Sequence, residues 1–219
     1  IMKYILLLIF YSVTTYSQVS PTSGFVEYGI EFEDSSLDNL QKMKNKVDNK
    51  QTYNIVKDMV INHKKIYSQD LIFLKLYFNE GEYILKPVDI MLPESLKGKF
   101  IFKSDSFYGD INSNVYLRQY KKQGNAYIAP INADYEWEIT NNQKNILGYS
   151  CREATLQIEA TSKRFNTKNS NKVSVWFSPQ IPVSFSPVKY YGLPGAILEA
   201  TTSFKHIYAK NIEFTDDVE

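Results

Sequence analysis

The sequence predicts a mainly β protein of α+β type. The expected architecture is an antiparallel curved sheet or half-open barrel with a helical segment near its N-terminus. Three observations lead there. Seventeen Tyr and 13 Phe against two Trp enrich the chain in residues that favour strands. From Asp70 onward, short alternating apolar segments are separated by turn residues, the pattern of serial hairpins in an antiparallel meander. Helical periodicity is confined to residues 35–67. The 219 residues, 43% apolar and 22% charged, suit one ordinary globular domain long enough to build a core.

Residues 1–17 stand apart. "IMKYILLLIFYSVTTYS" carries one basic residue, Lys3, then an apolar run from Ile5 to Val13, then small and polar residues. That is the layout of a secretory signal peptide, with cleavage expected near Ser17/Gln18. The run is too short to span a bilayer, and no later segment is long and apolar enough to do so. The expected location is therefore exported, in the periplasm or at the outer membrane. Removing Lys3 leaves 24 basic against 24 acidic residues. A neutral exported chain has no electrostatic case for nucleic acid.

In "GFVEYGIEFED" (24–34), Val26, Tyr28, Ile30 and Phe32 form the apolar set of a half-buried strand. The period then changes. Leu37, Leu40, Met43 and Val47 share a helical face behind a Ser35/Asp38 capping box. A second helical stretch begins near Thr52, with Tyr53, Val56, Met59, Val60, His63 and Tyr67 on one side. Three hairpins follow. "LIFLKLYF" and "YILKPV" flank "NEGE"; "VYLRQY" and "AYIAPI" flank "KKQGN"; "YEWEI" and "ILGYSCREATLQIEA" flank "TNNQKN". After the basic loop "TSKRFNTKNSN" come "KVSVWF", "AILEATTSF" and "HIYAKNIEF". The segment "SPQIPVSFSPVKYYGLPG" (178–195) holds four of the eight prolines. It is excluded from helix and central strand and is long for a connection.

The chemical motifs are sparse. "DINSN" resembles the start of a calcium loop, but Val115 and Lys121 occupy the positions that require Gly and Glu, so a polar turn is expected. His63 and His206 lack partners at metal-ligand spacing, and no cofactor or metal is expected. There is no G-x-S-x-G elbow and no phosphate-binding glycine loop. Cys151 is the single cysteine. It shares parity with Glu153, Thr155, Gln157 and Glu159, so it faces the polar side unless a bulge after Gly148 or Cys151 turns it inward. In "KVSVWF" Trp176 lies opposite Val173, Val175 and Phe177. An indole there needs cover, and the proline-rich loop is the nearest candidate. Pro194-Gly195 suits a type II turn with φ > 0 at Gly195, while Gly192 permits close backbone approach.

"WFSPQIPVSFSPVKYYGLPGAILEA" and "WEITNNQKNILGYSCREAT" together resemble the GLPGLI family of exported Bacteroidota proteins, across roughly 137–200. The matching residues are Trp137, Gly148, Tyr149, Cys151, Ala154, Trp176, Pro182, Gly192, Leu193, Pro194, Gly195, Ile197, Leu198 and Glu199. Ala196 departs from the family's Leu, and Ser186-Pro187 from its usual Gly-Pro. Family members commonly continue past a point like Glu219. The resemblance implies compartment and architecture, and no established activity. The expected domains are a signal peptide over 1–17 and one β-rich domain over 18–219.

The leading functional expectation is a non-enzymatic cell-envelope protein. It would bind an apolar or peptide-like ligand, or an envelope protein partner, near Trp176, Pro182, Gly192, Leu193, Pro194, Gly195 and Glu199. One alternative is a thiol-dependent or other hydrolase centred on Cys151; another is a structural envelope component. A thiol within hydrogen-bond reach of His63 or His206 would favour the enzyme.

Overall fold

A computed structural model describes residues 22–32, 50–91, 105–131, 134–162, 167–202 and 205–215. The expected signal peptide and the first helical stretch, 35–47, lie outside these residues.

Eleven antiparallel strands form one open sheet: β1 (Ser23–Phe32), β2 (Leu74–Asn79), β3 (Glu82–Pro87), β4 (Ser106–Asp110), β5 (Val115–Lys122), β6 (Asn125–Pro130), β7 (Glu138–Ile146), β8 (Tyr149–Ser162), β9 (Thr167–Ser178), β10 (Ala196–Thr201) and β11 (Lys205–Phe214). The order is β6-β5-β4-β3-β2-β1-β11-β10-β9-β8-β7. Two meanders thus meet at the centre, where the first and last strands pair. The mainly antiparallel β class and the helical segment agree with the sequence expectation.

Helix α1 (Lys50–Tyr67) precedes β2. Lys64 and Lys65 occupy its last turn, where positive charge complements the helix dipole. It buries Ile66 and Tyr67. His63 stacks at 6.3 Å on Phe32 and at 6.0 Å on Tyr67, so it serves in packing.

The tight turns use left-handed residue pairs. Glu80-Gly81, Gln123-Gly124 and Leu147-Gly148 all have positive φ, as type I′ hairpin turns require. The third pair corrects the sequence reading, which put the turn in "TNNQKN". Those residues belong to β7, a sheet-edge strand largely exposed along its length. An edge strand with little to bury can be polar throughout, so composition imitates a loop. The Asn145 side chain accepts from Gly148 N at 2.9 Å and supports the turn. Most of "TSKRFNTKNSN" likewise belongs to β8 and β9. Strand β4 was missed. The "DINSN" turn forms as expected, with Asp110 Oδ1 accepting from the backbone N–H groups of Asn112 and Ser113.

One face of the sheet carries the core. Val26, Tyr28 and Ile30 of β1 point into it, with Leu74, Leu76 and Phe78 of β2 and Val173, Val175 and Phe177 of β9. Edge strands β6 and β7 are unpaired with each other, yet they are consecutive in the chain. The sheet is therefore open and does not close into the half-open barrel that the sequence reading offered.

Candidate functional site

Between β9 and β10, residues 179–195 form a strap across the core face. Ile181, Val183 and Phe185 alternate inward with exposed Pro182 and half-buried Ser184; Val188 and Leu193 are also buried. Phe185 stacks on Phe78 of β2 at 5.0 Å. Ala196 N donates to Ile181 O and Ile197 N to Phe185 O, which holds the strap against β10. From the sheet, the Tyr28 hydroxyl donates to Ile197 O at 2.8 Å. Farther along, Tyr191 stacks on Tyr116 of β5 and its hydroxyl donates to Ile131 O. Trp137 Nε1, just before β7, donates to Tyr191 O at 2.8 Å. One strap residue thus joins both ends of the sheet.

This placement overturns the expected packing of the loop over Trp176. The strap's apolar residues go to the apolar face, whereas Trp176 lies on the other one. The lone turn motif also differs. Gly195 N donates to Leu193 O at 2.9 Å, a three-residue turn about Pro194 rather than a type II turn. Gly195 does have positive φ. The close approach expected at Gly192 is found at Gly195 instead. A Cβ on Gly192 would meet open space, while one on Gly195 would collide with Ser178 O.

Of the expected site residues, Leu193 and Gly195 are therefore interior, and Pro182, Gly192 and Pro194 lie on the strap's exposed side. Trp176 and Glu199 come together as direct cross-strand partners on the solvent face. Around them sits a network the sequence reading missed. Lys144 Nζ of β7 lies 4.3 Å from the Trp176 ring centre and donates to Glu199 Oε2 at 2.6 Å. His206 Nε2 of β11 is 3.1 Å from Glu199 Oε1, and its Nδ1 is 3.5 Å from Glu31 Oε2. On the other side of Trp176, Glu153 accepts from Ser174, Asn142 and Thr140. Strand parity could have paired Glu199 with Trp176. No local signal could have brought in Lys144, Glu31 and His206 from three other strands.

The charges tune one another. The hydrogen bond to Glu199 raises the His206 pKa against the opposing effect of burial, with Glu31 adding to the rise. Burial pushes Glu199 up, but its bonds from His206 and Lys144 outweigh this and leave it lowered. Stability from His206 is full below its unfolded pKa of about 6.5 and is lost as pH rises through the raised folded value. Stability from Glu199 is full above about 4.3 and is lost as pH falls through the lowered folded value. Both are present in the window between. We expect the melting temperature of the native protein to exceed that of His206→Gln most near pH 6. The gap should shrink toward pH 8, and a pH-independent gap in thermal melts would refute this.

Cys151 is fully buried. β8 pairs regularly with β9 from Arg152 onward, so the residue keeps Glu153's parity and no bulge in β8 turns it inward. Lys144 stands opposite it. To reach Trp176 and Glu199, the Lys144 side chain must cross β8, and so it covers the thiol. Burial pushes the thiol pKa up to about 11, with Lys144 pulling down and Glu199 pushing up. Its hydrogen bond goes to Tyr149 O at 3.5 Å and not to either imidazole. Among the described residues no group of three or more His, Cys, Asp or Glu is placed to hold a metal ion. No helix there is long and apolar enough to cross a membrane.

A family model described as "Protein of unknown function (Porph_ging)" matches residues 137–199, which include the strap, Lys144, Cys151, Trp176 and Glu199. A comparison with curated proteins finds no match. Two solved structures of PNGF-II, in C2 and P21 space groups, share the fold. Identity is 14% in both, with TM-scores of 0.54 and 0.51 over 90% of this chain. The chain spans 28% and 29% of the lengths of those PNGF-II chains. The comparisons therefore liken residues 137–199 to a family of unknown function and the fold of 90% of the chain to a part of PNGF-II.

Proposed function

We propose that the protein is an exported, non-enzymatic accessory domain of the cell envelope that recognises a peptide-like segment of a protein partner through the Trp176–Glu199 patch. One observation carries the reading. The patch gathers an indole and charges of both signs on the solvent face, while the thiol beneath it is buried and bonded to a backbone carbonyl. A thiol nucleophile needs an adjacent base or a lowered pKa, and Cys151 has the opposite environment. An apolar ligand is less well served, because the strap's own side chains occupy the core face.

Two measurements test this reading. Iodoacetamide should label Cys151 only after unfolding; rapid labelling of the native protein near pH 7.5 would favour the thiol enzyme. A photo-crosslinking amino acid at position 176 of the exported protein should yield a defined protein adduct. The same group at exposed Pro182 should not, and equal yields at both positions would remove the patch from the proposal.

A further inference from the structure

A second feature lies on the solvent face of the other meander. The register aligns Phe25, Tyr77, Ile84, Tyr108, Leu117 and Pro130 as one continuous cross-strand row from β1 to β6. The first five are half-buried, and none of the six packs against the hydrophobic core. A shallow depression of about 180 Å³ opens between Tyr77, Glu82, Ile84 and Tyr108. Apolar rows rimmed by polar residues mark interaction surfaces.

The rims have opposite character. Two residues along each strand in one direction, the register places Glu27, Lys75, Lys86 and Gln119. In the other direction it places Ser23, Asn79, Glu82 and Asp110, ending at exposed Val115 of β5. Lys75 is held by Glu27 at 3.4 Å and lies 3.8 Å over the Phe25 ring. Asp110 caps its own turn. Lys86 and Glu82 remain at the two ends of β3, both exposed, with Glu82 accepting the Tyr108 hydroxyl at 3.0 Å.

We propose that this face is a homodimer interface, its occupant a second copy of the chain stacked face to face. Consider a two-fold axis lying along the apolar row. It sets each strand antiparallel over its own copy and lays the row on itself. It also exchanges the rims, so that Lys86 of each copy meets Glu82 of the other. An axis parallel to the strands would instead oppose like rims. The arrangement is self-complementary, as a two-fold interface must be, and places two tyrosines per copy at its centre, where interfaces favour them. Strand spacing and rise give a patch of roughly 600 Å² per copy. A standard stable interface uses about 800 Å² per partner, so the dimer is weak and concentration-dependent.

Sedimentation equilibrium over a wide protein concentration range tests it. Lys86→Glu or Glu82→Lys alone should weaken dimerisation at least about tenfold, because each sets two like-charge pairs face to face. The double exchange should restore dimerisation while leaving the monomer's net charge unchanged. Ile84→Lys, at the centre of the row, should abolish it. Circular dichroism should show all variants folded, since the two charge positions are exposed in the monomer and half-buried Ile84 lies outside the hydrophobic core. A chain that stays monomeric at about 0.5 mM, well above the micromolar range of modest interfaces, overturns the proposal. So does a dimer indifferent to both single reversals, which would have to use another surface such as the free edge of β6.

Discussion

Phe185→Ala is expected to destabilise the protein by about 3–5 kcal/mol, the scale of a buried Phe truncation that leaves a cavity. Phe185 is 1% exposed, and its ring stacks on Phe78 of β2 while its carbonyl accepts from Ile197 N of β10. It therefore ties the strap to both meanders. The loss should appear as a lower urea midpoint with a nearly unchanged slope. Pro182→Ala, three residues earlier on the strap's exposed side, should shift the midpoint little. Equal effects would show that the strap works through backbone stiffness rather than packing. A negligible effect at Phe185 would mean that the strap is a docking surface that leaves the core intact when it detaches.

The fold was legible where one face of a strand is buried. Val26, Tyr28 and Ile30 alternate with polar residues because solvent and core impose opposite demands on successive positions, and β1, β2, β3, β9 and β11 all read clearly. The edges did not. β7 satisfies its backbone on one side and buries little, so "TNNQKN" could be polar without disturbing the sheet. The candidate site was half legible for the same reason. Parity separates Trp176 from Val175 and Phe177, but cannot say what covers it. The expected cover was the neighbour in sequence. The actual cover, Lys144, arrives from β7 across β8, a pairing set by global topology. Parity also reports the face of Cys151 without its exposure, because a long aliphatic stem can bury a residue on the solvent side.

The two meanders divide the work. The residues matched by the family model, 137–199, run from Trp137 into β10 and supply Lys144, Trp176 and Glu199 of the patch, to which β1 adds Glu31 and β11 adds His206. β1–β6 contribute the second half of the core and the exposed aromatic row. They are joined by the β1–β11 pairing and by the strap, whose Tyr191 bonds toward both edges. A change that loosens the strap should therefore disturb the patch and the aromatic row together. Changes confined to either surface should not.

Gly195→Ala is expected to be the most damaging single-methyl change in the strap, at about 2–4 kcal/mol, while Gly192→Ala should cost about 1 kcal/mol. Both glycines have positive φ, 146° at Gly195 and 97° at Gly192, so each substitution strains the backbone. Only Gly195 adds a steric term, because its Cβ would collide with the backbone of Ser178 and Pro179. That collision cannot be relieved by a rotamer change, since the obstructing atoms are main chain. It would push β10 from the end of β9, where Ala196 pairs with Ser178. The Ser178 hydroxyl in turn donates to Ser150 O at 3.0 Å, so the disturbance reaches β8 beside Cys151. Gly195→Ala should therefore make the thiol reactive to iodoacetamide under native conditions, whereas Gly192→Ala should leave it protected. Equal unfolding free energies for the two variants would show that backbone conformation alone selects glycine at both positions, and that close approach at Gly195 contributes nothing.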